Sequence, residues 1–181
     1  MLQAEVGSAR VTEVGVYPSR GHLIGDFTLS SMGGKPVSPY DYRGRSNLVL
    51  IFAGDVGQAD VQAYLSGLAR RSVEIRDQDA EVLLVLACSR QQAERIQNQE
   101  KLPFLVLTDE DMRIHGVVGA IGAQGTASTA IYVTDRFLEV FAVWRTAEGN
   151  SLPDASEVLS WLEYINSQCP ECAQGEWPTD D

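Results

Sequence analysis

The chain has 181 residues, with 25 acidic against 14 basic side chains and a formal net charge of −11. That length fits one domain with a sizeable core, and 44% hydrophobic content is ordinary for a soluble globular protein. The charge repels phosphate backbones and anionic lipids and so argues against nucleic acid and membrane partners, while the longest apolar runs fall far below the roughly 20 residues a spanning helix needs.

Residues 1–20 read as an N-terminal extension. Val11–Tyr17 alternates as an edge strand would, and Pro18 ends it. The first ten residues show no basic start followed by an apolar stretch, so no signal peptide is expected and the cytoplasm is the default compartment. Phe27–Leu29 and Lys35–Ser38 flank Gly33-Gly34, a hairpin signal, and Pro39–Gly44 reads as a turn or short helical loop.

Asn47–Ala53 is a continuous apolar strand, broken by Gly54-Asp-Val-Gly57. A helix is expected from about Ala59 to Arg76, with Val61, Leu65, Leu68 and Ile75 on one face. Glu81–Ala87 is a second buried strand, after which Ser89 caps a polar helix to about Gln99. Phe104–Leu107 is a third strand, and Thr108-Asp109 can cap a short helix to about Val118. A Gly- and Ala-rich loop, 119–128, leads to a hairpin of Thr129–Thr134 and Leu138–Trp144 turning at Asp135-Arg136. Pro153 opens a last helix with Val158, Leu162 and Ile165 on one face.

Strand–helix alternation with short connections demands a parallel core, with right-handed crossovers carrying helices on both faces. The closing hairpin adds antiparallel strands. The expected fold is therefore α/β and thioredoxin-like: a central mixed sheet flanked by helices, with an N-terminal β-hairpin extension. Residues 21–168 form the domain and 169–181 a C-terminal tail.

Ile24-Gly-Asp-Phe-Thr-Leu29, Gly34-Lys-Pro-Val-Ser38, Tyr42-Arg-Gly44 and the strand Leu48–Phe52 follow one another as in the opening of the peroxiredoxin family. Phe104–Asp109 and Ile131–Asp135 continue the likeness. Over residues 24–166 the chain thus resembles the peroxiredoxins (alkyl hydroperoxide reductase and thiol-specific antioxidant proteins, or redoxins). The resemblance implies a thioredoxin fold, an antioxidant or oxidoreductase role, no cofactor, a thiol or disulfide protein partner and a homodimer.

The family attacks peroxide with a thiolate in the first turn of the helix after the first core strand. The helix N-terminus and an arginine stabilise its charge. Laid on this sequence, the family's Pro-x-x-x-Thr-x-x-Cys falls on Ala53, Gly57 and Asp60, and its arginine on Thr129. No cysteine occurs before Cys88. The resemblance therefore implies a family member lacking the peroxidatic cysteine, with peroxidase activity through the usual site not expected. Asp60 reads instead as a carboxylate placed favourably at a helix N-terminus.

The chain has three cysteines, Cys88, Cys169 and Cys172, too few for a disulfide scaffold. Cys169-Pro-Glu-Cys172 is the strongest local motif, and its two thiols are the candidate catalytic pair. Their spacing suits a redox disulfide, half of a zinc site that His22, His115 or a second subunit's pair would complete, or merely structural thiols. Glu171, Glu163 and Glu176 and a preceding helix C-terminus disfavour thiolate there, so a fast peroxide-reducing thiol is not expected. Cys88, at the end of the second core strand, reads as a buried small residue near the vacated place. His115 reads as a core or cap residue. Trp177, beyond the last helix, reads as a clasp packing back on the body or as an anchor for a partner.

Two readings of function remain open at this point. One is a thiol–disulfide oxidoreductase working through Cys169 and Cys172. The other is a non-catalytic binding or dimerisation module whose cysteine pair is a structural disulfide or zinc half-site.

Overall fold

Strand-forming segments buried on both sides dominate the middle of the chain, and they build one sheet. The computed structural model describes residues 17–168. Of the edge strand expected over Val11–Tyr17, only Tyr17 lies inside that range, and it is not in a strand. The Cys169–Cys172 pair and Trp177 lie outside it.

The strands are β1 (Leu29–Ser31), β2 (Pro36–Val37), β3 (Asn47–Ala53), β4 (Ala80–Leu86), β5 (Leu105–Thr108), β6 (Ala130–Thr134) and β7 (Val140–Arg145). They form a seven-stranded sheet in the order β2-β1-β5-β4-β3-β6-β7. β3, β4 and β5 run parallel, while β1 joins β5 and β6 joins β3 antiparallel. The expected mixed sheet, its parallel centre and both hairpins are present.

The helices are α1 (Ala59–Arg70), α2 (Ser72–Asp77), α3 (Arg90–Glu100), α4 (Arg113–Val117) and α5 (Ala155–Ser167). The single helix expected over 59–76 is thus two. Arg71 interrupts it at φ −104° and ψ 15°, its N–H donating to the Leu68 carbonyl. The apolar face runs through the break, with Leu68 and Ile75 both buried, so periodicity alone reads one helix. Ser89 caps α3 as expected, accepting from Gln92 N, and Asp154 rather than Pro153 caps α5, accepting from Glu157 N.

The helices divide unevenly between the faces. Val49, Ile51 and Ala53 of β3 pack with residues of α1, α2, α3 and α5. Leu48, Leu50 and Phe52 pack with Phe27, Val37 and, from α4, Ile114 and the following Val118. The reason is topological: β3, β4 and β5 advance in one direction across the sheet, so their two right-handed crossovers fall on the same face.

Candidate functional site

The carboxyl edge of the parallel strands is where an open α/β sheet offers a crevice. Here that edge is made by Ala53 at the end of β3 and Gly54 after it, Ala87 and Cys88 after β4, and Asp109 after β5.

Gly54 is the tightest point. A Cβ on it would stand 2.8 Å from the Ala127 carbonyl oxygen and 3.1 Å from Ser128 Cα, so only glycine allows the 127–129 segment to approach this closely. The segment is also tied by hydrogen bonds. Gly54 N donates to Thr129 Oγ1 at 3.2 Å, and Thr129 N donates to Thr146 Oγ1 at 3.0 Å. Thr129 is 3% exposed. The antiparallel pairing of β3 with β6 thus brings to one place Ala53 and Thr129, two of the four positions the sequence reading singles out.

Asp60 occupies the first turn of α1, where its Oδ1 accepts from Val61 N at 2.9 Å. The turn before it is held by Asp55, whose Oδ1 accepts from Gly57 N at 2.8 Å. Gly57 and Asp60 are exposed, whereas Ala53 and Thr129 are buried. Asp60 faces a groove of about 590 Å³ that Tyr64, Thr146 and Asn150 also line.

Beneath the edge lies a pair that sequence reasoning did not assemble. His115 and Asp109 are buried, with His115 Nδ1 2.7 Å from Asp109 Oδ2. His115 Nε2 stands 3.3 Å from the Ala53 carbonyl oxygen, and His115 N donates to Asp109 Oδ2 at 2.8 Å. Burial pushes the Asp109 carboxyl up, but hydrogen bonds from the His115 ring and from the backbone of His115 and Ile114 outweigh it and hold the group below its ordinary range. Asp109 therefore serves the start of α4, whose own N-cap residue, Met112, makes no side-chain capping bond. The expected cap role of Asp109 and core role of His115 both appear, joined in one unit that also holds the end of β3.

Cys88 is half-buried and lines a cavity of about 380 Å³ with Gly54, Asp55, Val56, Met112 and Ala127. It lies beside the loop that follows β3, as its strand-end position suggested, but it is half-buried and not the buried small residue expected, because it borders that cavity. Burial and then the Glu110 carboxylate push its thiol up, which keeps it protonated and a weak nucleophile at neutral pH. Of the two histidines named as zinc ligands, His22 is exposed, with Nδ1 2.8 Å from Ser19 Oγ. His115 is enclosed, with both ring nitrogens facing acceptors. Among the described residues no three His, Cys, Asp or Glu side chains gather as a metal site, and no helix is long and apolar enough to cross a membrane.

Comparison with known proteins agrees with this architecture. Several solved structures superpose on the chain. Peroxidoxin BcpB from Mycobacterium tuberculosis does so with a TM-score of 0.72 at 16% identity, over 83% of this chain and 100% of that one. AhpC from the same organism gives 0.71 at 19% identity, over 86% and 98%. A cysteine-to-serine mutant of PrxQ from Xylella fastidiosa gives 0.73 at 16% identity, over 84% and 100%. At these identities the likeness shows the fold. No curated protein matches the sequence. The model of the AhpC/TSA family matches residues 21–142, two thirds of the chain and the whole of the edge just described, and the protein belongs to that family.

Proposed function

We propose that the protein is an AhpC/TSA-family oxidoreductase whose thiol chemistry has left the N-terminus of α1 and is carried by Cys169 and Cys172. The supporting observation is the make-up of the α1 entry. On our reading of the sequence Asp60 takes the place of the family's cysteine, and Thr129, whose Oγ1 accepts from Gly54 N, takes that of its arginine. A carboxylate in place of a thiolate cannot reduce a peroxide. Cys88, the other thiol in the chain, is held protonated.

In the exchange, one thiolate of the pair attacks a disulfide of a partner protein. A mixed disulfide forms and one partner sulfur leaves as thiolate. The second thiolate of the pair then displaces the other partner sulfur. The pair ends as a disulfide, the partner as two thiols, and two protons pass from one to the other. The pair follows α5 closely in sequence, and the end of α5 is anchored far from the vacated place. Asn166 accepts from Asn47 Nδ2 at 2.9 Å, and Asn47 begins the strand that Ala53 ends. Those two ends are about 20 Å apart at a strand's rise per residue. The end of α5 thus lies at the opposite edge of the sheet from Ala53.

Mass-tagging of free thiols across a series of glutathione redox buffers tests this. The expected result is a two-thiol change confined to Cys169 and Cys172, with Cys88 remaining a free thiol across the series. A pair that stays untagged, or stays free, in every buffer sinks the proposal. If the pair instead copurifies with zinc, the second reading stands: a binding or dimerisation module without catalysis, which the raised Cys88 thiol favours. In either case, peroxide consumption with a thiol reductant should not exceed that of free cysteine. A rate orders of magnitude higher would show a peroxidatic thiol that the alignment of Asp60 misses.

A further inference from the structure

One aromatic surface is left without a partner among the described residues. On α5, Trp161 and Tyr164 stand edge to face with centroids 5.8 Å apart, and Phe141 of β7 joins Tyr164 at 6.3 Å. Tyr164 is 45% exposed. The guanidinium of Arg20 lies over the Trp161 ring, 5.0 Å from its centroid. Together Arg20, Glu157, Ser160, Trp161 and Tyr164 line a depression of about 460 Å³. It lies apart from the vacated site and from the Cys88 cavity, sharing no lining residue with either.

We propose that this depression is the receptor for the chain's own C-terminal segment, with the Trp177 ring seated against Trp161 and Tyr164 and the acids around it facing Arg20. Three observations select this occupant. The first is reach. The segment begins at Cys169, directly after α5, and Tyr164 lies one helical turn (about 6 Å) before Gln168. The nine Cα-to-Cα steps from Gln168 to Trp177 span about 30 Å when extended, ample for a reversal that Pro170 and Gly175 favour. The second is charge. Glu171, Glu176, Asp180 and Asp181 make the segment strongly acidic, without a basic residue, and Arg20 is the cation on the rim. The third is chemistry: an indole over a tryptophan–tyrosine pair beside a guanidinium combines aromatic and cation–π contact. Tethering adds a high effective concentration that a second copy lacks. The docking rests on the described surface and does not depend on the redox reading of Cys169 and Cys172.

The full-length protein labelled with nitrogen-15 gives three tryptophan indole N–H signals, from Trp144, Trp161 and Trp177, which Trp→Phe variants assign. Trp177→Ala should shift the Trp161 signal and leave that of Trp144 in place. Arg20→Ala, on an exposed side chain, should produce part of the same shift, and raising the salt to 1 M should do likewise. Contacts between the Trp177 ring and the Tyr164 ring should appear in nuclear Overhauser spectra and be independent of protein concentration. A Trp161 signal indifferent to Trp177→Ala overturns the proposal. So does a shift that grows with concentration while sedimentation reports a doubled mass, because a second copy then covers the face.

Discussion

Asp109→Ala is expected to lower the unfolding free energy by about 2–5 kcal/mol, the cost of leaving two buried hydrogen-bonding groups without their partner. Asp109 Oδ2 serves two donors at once, His115 N at 2.8 Å and the His115 ring at 2.7 Å. Without it, the first turn of α4 has unpaired N–H groups in the interior, and the ring that touches the Ala53 carbonyl is free to move. Asp109→Asn keeps an acceptor and should cost less. The two variants also separate by pH. The folded carboxyl sits below its ordinary value, so it contributes stability that is fully present above about pH 4 and lost as the pH falls through the depressed value. The wild type should therefore lose stability between about pH 4 and lower pH, and Asp109→Asn should lose correspondingly less. Urea unfolding at pH 7 and pH 3 measures both. A loss below about 1 kcal/mol for Asp109→Ala at pH 7 would mean that the pair is incidental.

Why this unit escapes a reading of the sequence has a physical answer. β3 is legible to the residue because seven consecutive strand residues between Ser46 and Gly54, six of them apolar, admit little else. Ser89 and the hairpin at Asp135 are legible for the same kind of reason, since local chemistry decides them. The Asp109–His115–Ala53 link joins residues 62 positions apart, and it exists only because β5 delivers Asp109 two strands away from β3 on the same edge. The break at Arg71 leaves no trace in the hydrophobic period. The gathering of four helices on one face follows from strand order, which the sequence does not spell out. Read from the sequence, Ala53, Gly57, Asp60 and Thr129 are a list. What the list cannot convey is that two of them are sealed in the interior and two stand in solvent.

That division carries the second large effect. Thr129→Arg is expected to destabilise the fold by several kcal/mol, because it forces a long charged side chain into a position that is 3% exposed, beside the close approach of Ala127 to Gly54. It also takes away the hydroxyl that accepts from Gly54 N and, with Thr146, fixes the 127–129 segment against the end of β3. Asp60→Cys, on an exposed first-turn position, should instead fold normally. Its thiol would gain the N-terminal field of α1 and nothing more, so its alkylation at neutral pH should be faster than that of Cys88 yet fall short of a true peroxidatic thiol. Denaturant midpoints and pH-dependent alkylation rates of the two variants distinguish these outcomes. If Thr129→Arg were as stable as the wild type, the site would be an open socket from which one residue had been lost. The close approach of Ala127 to Gly54 argues the contrary: the backbone is closed at the β3–β6 junction, with no room there for a larger side chain.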